Sequence, residues 1–305
     1  MTSSHPCLRH PAFFYASRED YVAGLVPFIT GGLQAGEPVL AALPGPNLDV
    51  VRSSLEDAAE DVTFLDMSKL GRNPARIIPA IGRFVKDRAA GGSVRFIGEP
   101  IWPGRPRAEL EEATRHEALL NLAFGTTPMT ILCPYDTTRL PAKVIDDARR
   151  THPELLVGGH RRTSPEYAGW PLHPDDAPLP RAPAGESMTS EDVACLRHFV
   201  TDHARRLGVA ADRVGDLAIA VTEVATNAVR HAGSPATLRI WNDRDAVVCD
   251  ISDRGRITDP LAGRHLPAPD AESGRGLWLV NQLCDLVELR SGHWGTNIRL
   301  RVALN

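Results

Sequence analysis

Asp216-Leu-Ala-Ile-Ala-Val-Thr-Glu-Val-Ala-Thr-Asn-Ala-Val-Arg-His231 spaces its apolar residues as a helix does, at Leu217, Ile219, Ala220, Val224, Ala228 and Val229. Glu223 and Asn227 stand four residues apart in it and project from one side, about one turn apart. A carboxylate can orient or deprotonate a nucleophile, and an amide oxygen is a hard ligand suited to Mg²⁺. An ATP site on a helix needs such a pair. Alone the pair is ambiguous, because exposed helices also carry Glu and Asn at this spacing.

Three further motifs follow in order. The apolar run Ala246–Ser252 leads into Asp253-Arg-Gly255, Ser273-Gly-Arg-Gly-Leu-Trp-Leu-Val280 opens a helix, and Gly295-Thr-Asn-Ile298 begins a last strand. Strands are expected at Thr237–Trp241, Val247–Ser252, Asp285–Arg290 and Asn297–Val302. A helix over 190–207 is expected to be capped by Thr189 or Ser190.

In this order the four motifs resemble the GHKL ATPase superfamily, and within it the anti-sigma-factor serine kinases and related histidine-kinase-type ATPases, over residues 186–305. The resemblance implies a GHKL-type α/β two-layer sandwich with ATP and Mg²⁺ as cofactors. It implies that Asn227 holds the Mg²⁺ and that Glu223 is the general base for the incoming hydroxyl. Asp253 would accept from the adenine amine, with Gly255 letting the base approach the backbone. Gly274, Arg275, Gly276 and Leu277 would cover the phosphates, where N–H groups at a helix start favour anions. Thr296 would support the adenine side through its hydroxyl. Arg230 and His231 adjoin the site, and a solvated helix end explains them equally well. Ile257 stands where the pattern Asp-x-Gly-x-Gly has its second glycine, which leaves affinity and turnover open.

Residues 1–163 alternate short apolar strands, Val39–Leu43, Val62–Leu65, Val94–Ile97 and Met129–Cys133, with helical stretches at Pro74–Arg88 and Arg107–Phe124. That alternation indicates an α/β layered domain with a mainly parallel sheet. Gly31–Gly45 runs like the approach to a phosphate loop in a RecA-like three-layer fold. It ends in Pro44-Gly-Pro-Asn-Leu48 where Gly-Lys-Ser/Thr is required, so this half reads as non-catalytic. His10-Pro-Ala-Phe-Phe-Tyr15, Gly31–Pro38, Phe64-Leu-Asp-Met67, Gly98-Glu-Pro100, His116-Glu-Ala-Leu-Leu-Asn121 and Cys133-Pro-Tyr-Asp136 resemble the MEDS sensory domain. The resemblance implies an input module for an unknown small-molecule or protein signal. Glu99, Trp102, Tyr135 and Asp136 follow strands, where an α/β sheet places its ligand cleft. A structural contact or loop cap is the plainer reading of each, and of His116 and Glu117. Between the two domains, residues 164–185 hold six prolines and read as a linker.

The formal charge of −4 gives no basic footprint, so direct nucleic-acid binding is not expected. No run of about 18 apolar residues exists and the N-terminus lacks a signal-peptide pattern, so a cytoplasmic protein without a membrane span is expected. The five cysteines are widely spaced, with no Cys-x-x-Cys pair to mark zinc or a redox couple.

A histidine kinase needs a phosphoacceptor histidine on a two-helix hairpin, and neither His116 nor His198 or His203 has one in sequence. The leading expectation is a sensory domain controlling an ATP-binding anti-sigma or serine-protein-kinase domain. It would phosphorylate an anti-sigma antagonist or sequester a sigma factor, and related domains pair as homodimers. The alternatives are a non-catalytic, ATP-dependent partner-binding module and an atypical sensor histidine kinase.

Overall fold

Two sets of strands, parallel in the first half of the chain and antiparallel in the second, organise two compact units, Met1–Leu172 and His173–Asn305. The structure, a computed structural model, describes residues 8–169, 177–265, 267 and 274–304. The N-terminal segment through Cys7, residues 170–176 of the Pro-rich stretch and Ser273 of the glycine motif lie outside the described residues.

The first unit runs β1 Pro11–Tyr15, α1 Arg18–Gln34, β2 Val39–Leu43, α2 Gly45–Leu55, β3 Val62–Asp66, α3 Met67–Leu70 and α4 Ile77–Arg88. It continues with β4 Val94–Gly98, α5 Arg107–Phe124, β5 Met129–Asp136, α6 Ala142–Thr151, β6 Glu154–Val157 and β7 His160–Thr163. The strand order is β3-β2-β4-β5-β1-β6-β7, parallel throughout except for β7 at the edge. β2 is buried at all five positions, as a parallel strand covered on both faces must be. Val39, Ala41 and Leu43 join residues of α1 and α2 in one core cluster, while Leu40 and Ala42 are buried on the opposite face.

Gly31 and Gly32, expected on the approach to a phosphate loop, instead sit inside α1. A Cβ on Gly32 would meet Arg95 Cδ at 2.7 Å. Arg95 passes there to reach Glu37 at 2.5 Å and the Phe28 carbonyl at 2.6 Å. The glycines therefore make room for a partly buried guanidinium, and Gly45 simply opens α2.

The second unit runs β8 Glu186–Ser190, α7 Val193–Arg206, α8 Ala211–Asn227, β9 Ala236–Asp243, β10 Ala246–Asp253, α9 Arg275–Leu283, β11 Leu286–Gly292 and β12 Gly295–Ala303. Its sheet, ordered β11-β12-β10-β9-β8, is antiparallel at every step. Leu196 and Val200 of α7, Val221 and Val224 of α8 and Val280 of α9 share one core with alternate strand residues such as Val247, Cys249 and Ile251. The period-2 pattern of β10 buries one side against those helices. Cys249 and Cys284 are fully buried there, as small apolar residues.

The cap expected at Thr189 or Ser190 is not formed there. Both residues belong to β8, and the Thr189 hydroxyl pairs with that of Thr237 across the strands at 2.9 Å. Asp192 caps α7 instead, its Oδ1 accepting from the N–H groups of Ala194 (2.8 Å) and Cys195 (3.3 Å). The described end of the Pro-rich stretch is fastened to the sheet: Leu179 is buried and the Pro180 carbonyl accepts from Arg299 at 2.7 Å.

Candidate functional site

α8 carries Glu223 and Asn227 in its last two turns and is continued by a π turn over Ala228–Ala232 that ends at left-handed Gly233. One extra residue per turn widens the helix at this point, a device frequent at functional sites. His231 and Ala232 consequently line a cavity beside Asn227, while Arg230 is exposed.

Antiparallel pairing of β10 and β12 sets Asp253 opposite Thr296, so two motifs far apart in sequence become neighbours. Thr296 is 3% exposed and its hydroxyl donates to the Gly255 carbonyl at 2.9 Å. With that proton committed, Ser291 Oγ donates to Thr296 Oγ1 (2.8 Å) and itself accepts from the Ile257 N–H (2.8 Å). A relay of three hydrogen bonds thus pins residues 255–257 to β11 and β12. Asp253 Oδ1 accepts from the Gly255 N–H at 2.6 Å. Burial pushes the Asp253 carboxyl above its ordinary range, opposed by that hydrogen bond. Gly295, at φ +124°, packs so tightly on this turn that a Cβ would lie 2.3 Å from the Asp253 carbonyl oxygen.

The glycine motif comes down on α8. Gly274, left-handed at φ +83°, caps α9. A Cβ on Gly276 would lie 2.7 Å from Glu223 Oε2 and 3.7 Å from Asn227 Nδ2. Together these elements bound a cavity of about 600 Å³, in the range of small-molecule sites. Asn227, Asp253, Gly255, Gly274, Gly276 and Thr296 line it, with Val224, Ile257, Leu277 and Ile298 supplying apolar surface. Glu223 and Arg275 are outside the wall, Glu223 lying against Gly276.

Several contributors escaped sequence reasoning. Ser291 looks like any strand serine until its relay is seen. Gly263, at φ +73°, sits where a Cβ would be 2.7 Å from Leu277 Cβ, and Asn281 Nδ2 donates to its carbonyl at 3.1 Å. Asn281 thereby ties the turn at Asp259–Gly263, which forms part of the cavity rim, to α9. Only the left-handed requirement at Gly263 leaves a trace in sequence.

Residues 187–302 match the family model for the histidine kinase-like ATPase domain, and residues 9–153 match the MEDS model, the methanogen/methylotroph DcmR sensory domain. The serine-protein kinase RsbW of Halalkalibacterium halodurans is 33% identical over 115 residues, covering 33% of this chain and 70% of that protein. RsbW of Bacillus subtilis is 30% identical over 129 residues, 38% of this chain and 80% of that protein. The chain belongs to the RsbW family. To its RsbW-like part it adds an N-terminal MEDS domain. A crystal structure of the RsbU and RsbW domains of a Mycobacterium tuberculosis protein aligns at 16% identity and TM-score 0.30, over 66% of this chain and 49% of that one.

The MEDS domain of this RsbW relative has a cavity of its own, about 590 Å³, at the carboxyl ends of β1 and β5. Tyr15, Tyr21, Asn47, Asp136 and Arg139 line it. Of the strand-end residues singled out in sequence, Asp136 faces this cavity and Glu99 supports it. Glu99 is buried and accepts from Tyr21 Oη (2.7 Å), Tyr15 Oη (3.3 Å) and Asn47 Nδ2 (2.9 Å). Trp102 instead lies against the Arg105 guanidinium, 4.3 Å from ring centroid to Cζ. Tyr135 is buried beside the ring of His152, and His116 is buried in α5.

Burial pushes the Glu99 carboxyl up to about 7 against the hydrogen bonds from Asn47, Tyr21 and Tyr15. A carboxyl raised in the folded state favours folding fully below its unfolded value of 4.5 and loses that advantage as pH rises to about 7. The interval is worth roughly 3 kcal/mol. Glu99→Gln, which stays neutral, is expected to flatten the pH dependence of unfolding between pH 4.5 and 7. Urea denaturation of both proteins at several pH values checks this; parallel curves would remove Glu99 as the cause.

Proposed function

We propose that the RsbW-like unit binds Mg-ATP in the 600 Å³ cavity and phosphorylates a serine or threonine of an antagonist protein, under control of the MEDS domain. The carrying observation is the packing of Gly276 against Glu223 and Asn227, which brings the glycine motif onto the carboxylate–amide pair. Bound Mg-ATP supplies the phosphoryl group and the charge-neutralising cation. Asn227 offers its side-chain oxygen to the cation. Gly274 and Gly276 present backbone at the N-terminus of α9, where anions are favoured. Asp253 would accept from the adenine amine, and Val224, Ile257 and Ile298 would supply the apolar surface for the base. The hydroxyl of Thr296 holds the Gly255 carbonyl, so its part is to set the turn on which the base rests. Glu223 Oε2 takes the proton of the incoming hydroxyl.

The mostly parallel sheet with one antiparallel edge supports a RecA-like reading of the MEDS domain, in which the strand-end cavity receives a small-molecule signal. The regulatory role that fits both units is anti-sigma: the RsbW-like unit holds a sigma factor and releases it according to the state of the antagonist. A second reading, capture of a partner without transfer, draws on the position of Glu223 against Gly276 and outside the cavity wall.

Calorimetric titration with Mg-ATP tests the site. Asp253→Asn keeps one oxygen for the Gly255 N–H and turns the other carboxylate acceptor into an amide donor, and is expected to weaken binding about tenfold or more. Wild-type affinity in that variant would remove Asp253 from the adenine pocket. Transfer is read as acid-stable phosphate on the antagonist; ATP binding without transfer would leave the capture reading.

A further inference from the structure

Away from both cavities, four side chains from four segments of the MEDS domain converge on one point. His10 precedes β1, Glu117 lies in α5, Cys133 in β5, and His152 follows α6. All four are buried and one ligand atom of each lies within 4.8 Å of the others. His10 Nε2 is 3.2 Å from Glu117 Oε2 and 3.3 Å from Cys133 Sγ. His152 Nε2 is 3.3 Å from the same Glu117 oxygen. Four ligands held tetrahedrally at zinc distances stand about 3.3–3.8 Å from each other; the three close pairs are already at the lower end of that spacing, and the remaining pairs, within 4.8 Å, need to draw in by at most about 1 Å.

The outward nitrogens settle which way the rings face. Asn121 Nδ2 donates to the Thr151 carbonyl at 2.7 Å, which turns Asn121 Oδ1 toward His10 Nδ1 at 3.0 Å. His152 Nδ1 meets the Ala148 carbonyl at 2.8 Å. The Asn121 oxygen and the Ala148 carbonyl can only accept, and the Thr151 hydroxyl, 2.9 Å from His152 Nδ1, has its own proton directed at the Asp147 carbonyl (3.0 Å), so each Nδ1 carries a proton. In the neutral ring each Nε2 then aims a lone pair inward. Two lone pairs and a carboxylate face one another with the Cys133 thiol as the one donor of the four. Among the described residues, Glu117 Oε1 and His152 Nε2 have no hydrogen-bond partner. Protonating both rings instead would put two cations with centroids 4.1 Å apart in a dry interior. A divalent cation at the centre removes the conflict, for a carboxylate and a thiolate balance its charge.

We propose that His10 Nε2, Glu117, Cys133 Sγ and His152 Nε2 bind a zinc-class divalent ion that clamps the MEDS domain. Imidazole, thiolate and carboxylate together select a borderline transition metal over Mg²⁺ or Ca²⁺. All four positions are filled by protein, the pattern of a structural site. Binding releases the Cys133 proton to solvent as the sulfur–metal bond forms. Asn121 and the Ala148 carbonyl orient the two rings, as partners of metal-bound histidines do. The cysteine spacing gave no sign of zinc because the other three ligands are two histidines and a glutamate scattered along the domain.

Full-length protein purified without metal-affinity resin is expected to hold about one zinc per chain. After chelation, Co²⁺ should titrate to saturation at one equivalent. The product should show the visible bands of a tetrahedral site and a sulfur-to-cobalt charge-transfer band. Cys133→Ser should abolish that band, and Asn121→Ala should weaken metal affinity about 10–100-fold. If Cys133→Ser does not fold, the wild-type melting temperature decides: a chelator should lower it and zinc restore it. Purified protein without metal, unsaturable cobalt binding, or melting indifferent to chelator and zinc would mean a hydrogen-bonded cluster without an ion.

Discussion

Glu223→Gln is expected to reduce phosphate transfer by about 10²–10⁴-fold, the usual contribution of a positioned base, while Mg-ATP affinity stays at the wild-type level. Glutamine keeps the shape that packs on Gly276 and removes only the ability to take a proton. The split between rate and affinity is what separates a base from a wall residue, and unchanged affinity is expected because Glu223 lies outside the cavity lining whereas Asn227 lies within it. Single-turnover transfer to the antagonist together with calorimetric Kd measures both. A variant that transfers at the wild-type rate would leave Glu223 a packing residue. A variant that loses ATP binding would place the carboxylate in the binding site itself.

Gly295→Ala is expected to be the most damaging single-methyl change in the RsbW-like unit. The new Cβ would stand 2.3 Å from the Asp253 carbonyl oxygen and 3.4 Å from Arg254 Cα, and backbone cannot swing aside as a side chain does. The φ of +124° adds strain of its own for any L side chain. Together these are worth roughly 2–4 kcal/mol. Relief requires the turn at Asp253–Gly255 to move away from β12, so ATP binding should fail along with stability. Gly215→Ala is the control: it sits in α8 with open space around its Cβ and is expected to be neutral or stabilising by about 0.5–1 kcal/mol. Thermal unfolding and Mg-ATP titration of the two variants give the comparison. Similar melting temperatures would show that β12 tolerates the methyl group.

Periodicity carried the reading of α8 and β9, which bury one face with their apolar residues in register with the repeat, whereas β10 and β12, buried over consecutive positions, were legible as apolar runs bounded by turn residues. It failed at β8. Glu186-Ser-Met-Thr-Ser190 is an edge strand with Met188 as its one large apolar residue, so it looked like the approach to a helix and the cap was placed too early. The four ATPase motifs could be placed in order from their glycines and charged residues, and the structure gathers most of them around one cavity. The relay through Ser291 and the clasp of Asn281 on Gly263 were illegible, since hydrogen bonds between distant segments leave no spacing to find. Gly31 and Gly32 misled for the opposite reason: glycine marks a close approach without saying whether a phosphate or an arginine approaches.

The π turn after Asn227 is a matter of counting residues as much as of chemistry. Removing one residue from Ala228–Ala232 would let α8 finish as an ordinary helix. His231 and Ala232 would rotate off the cavity, and the close contact of Ala232 with Gly255 would be gone. A relative could thus keep Glu223, Asn227, Asp253 and every glycine of the motifs and still lose its pocket through a single-codon deletion. For chains of this kind, the length of the segment between Asn227 and Gly233 tells as much about a working site as the residues on either side of it.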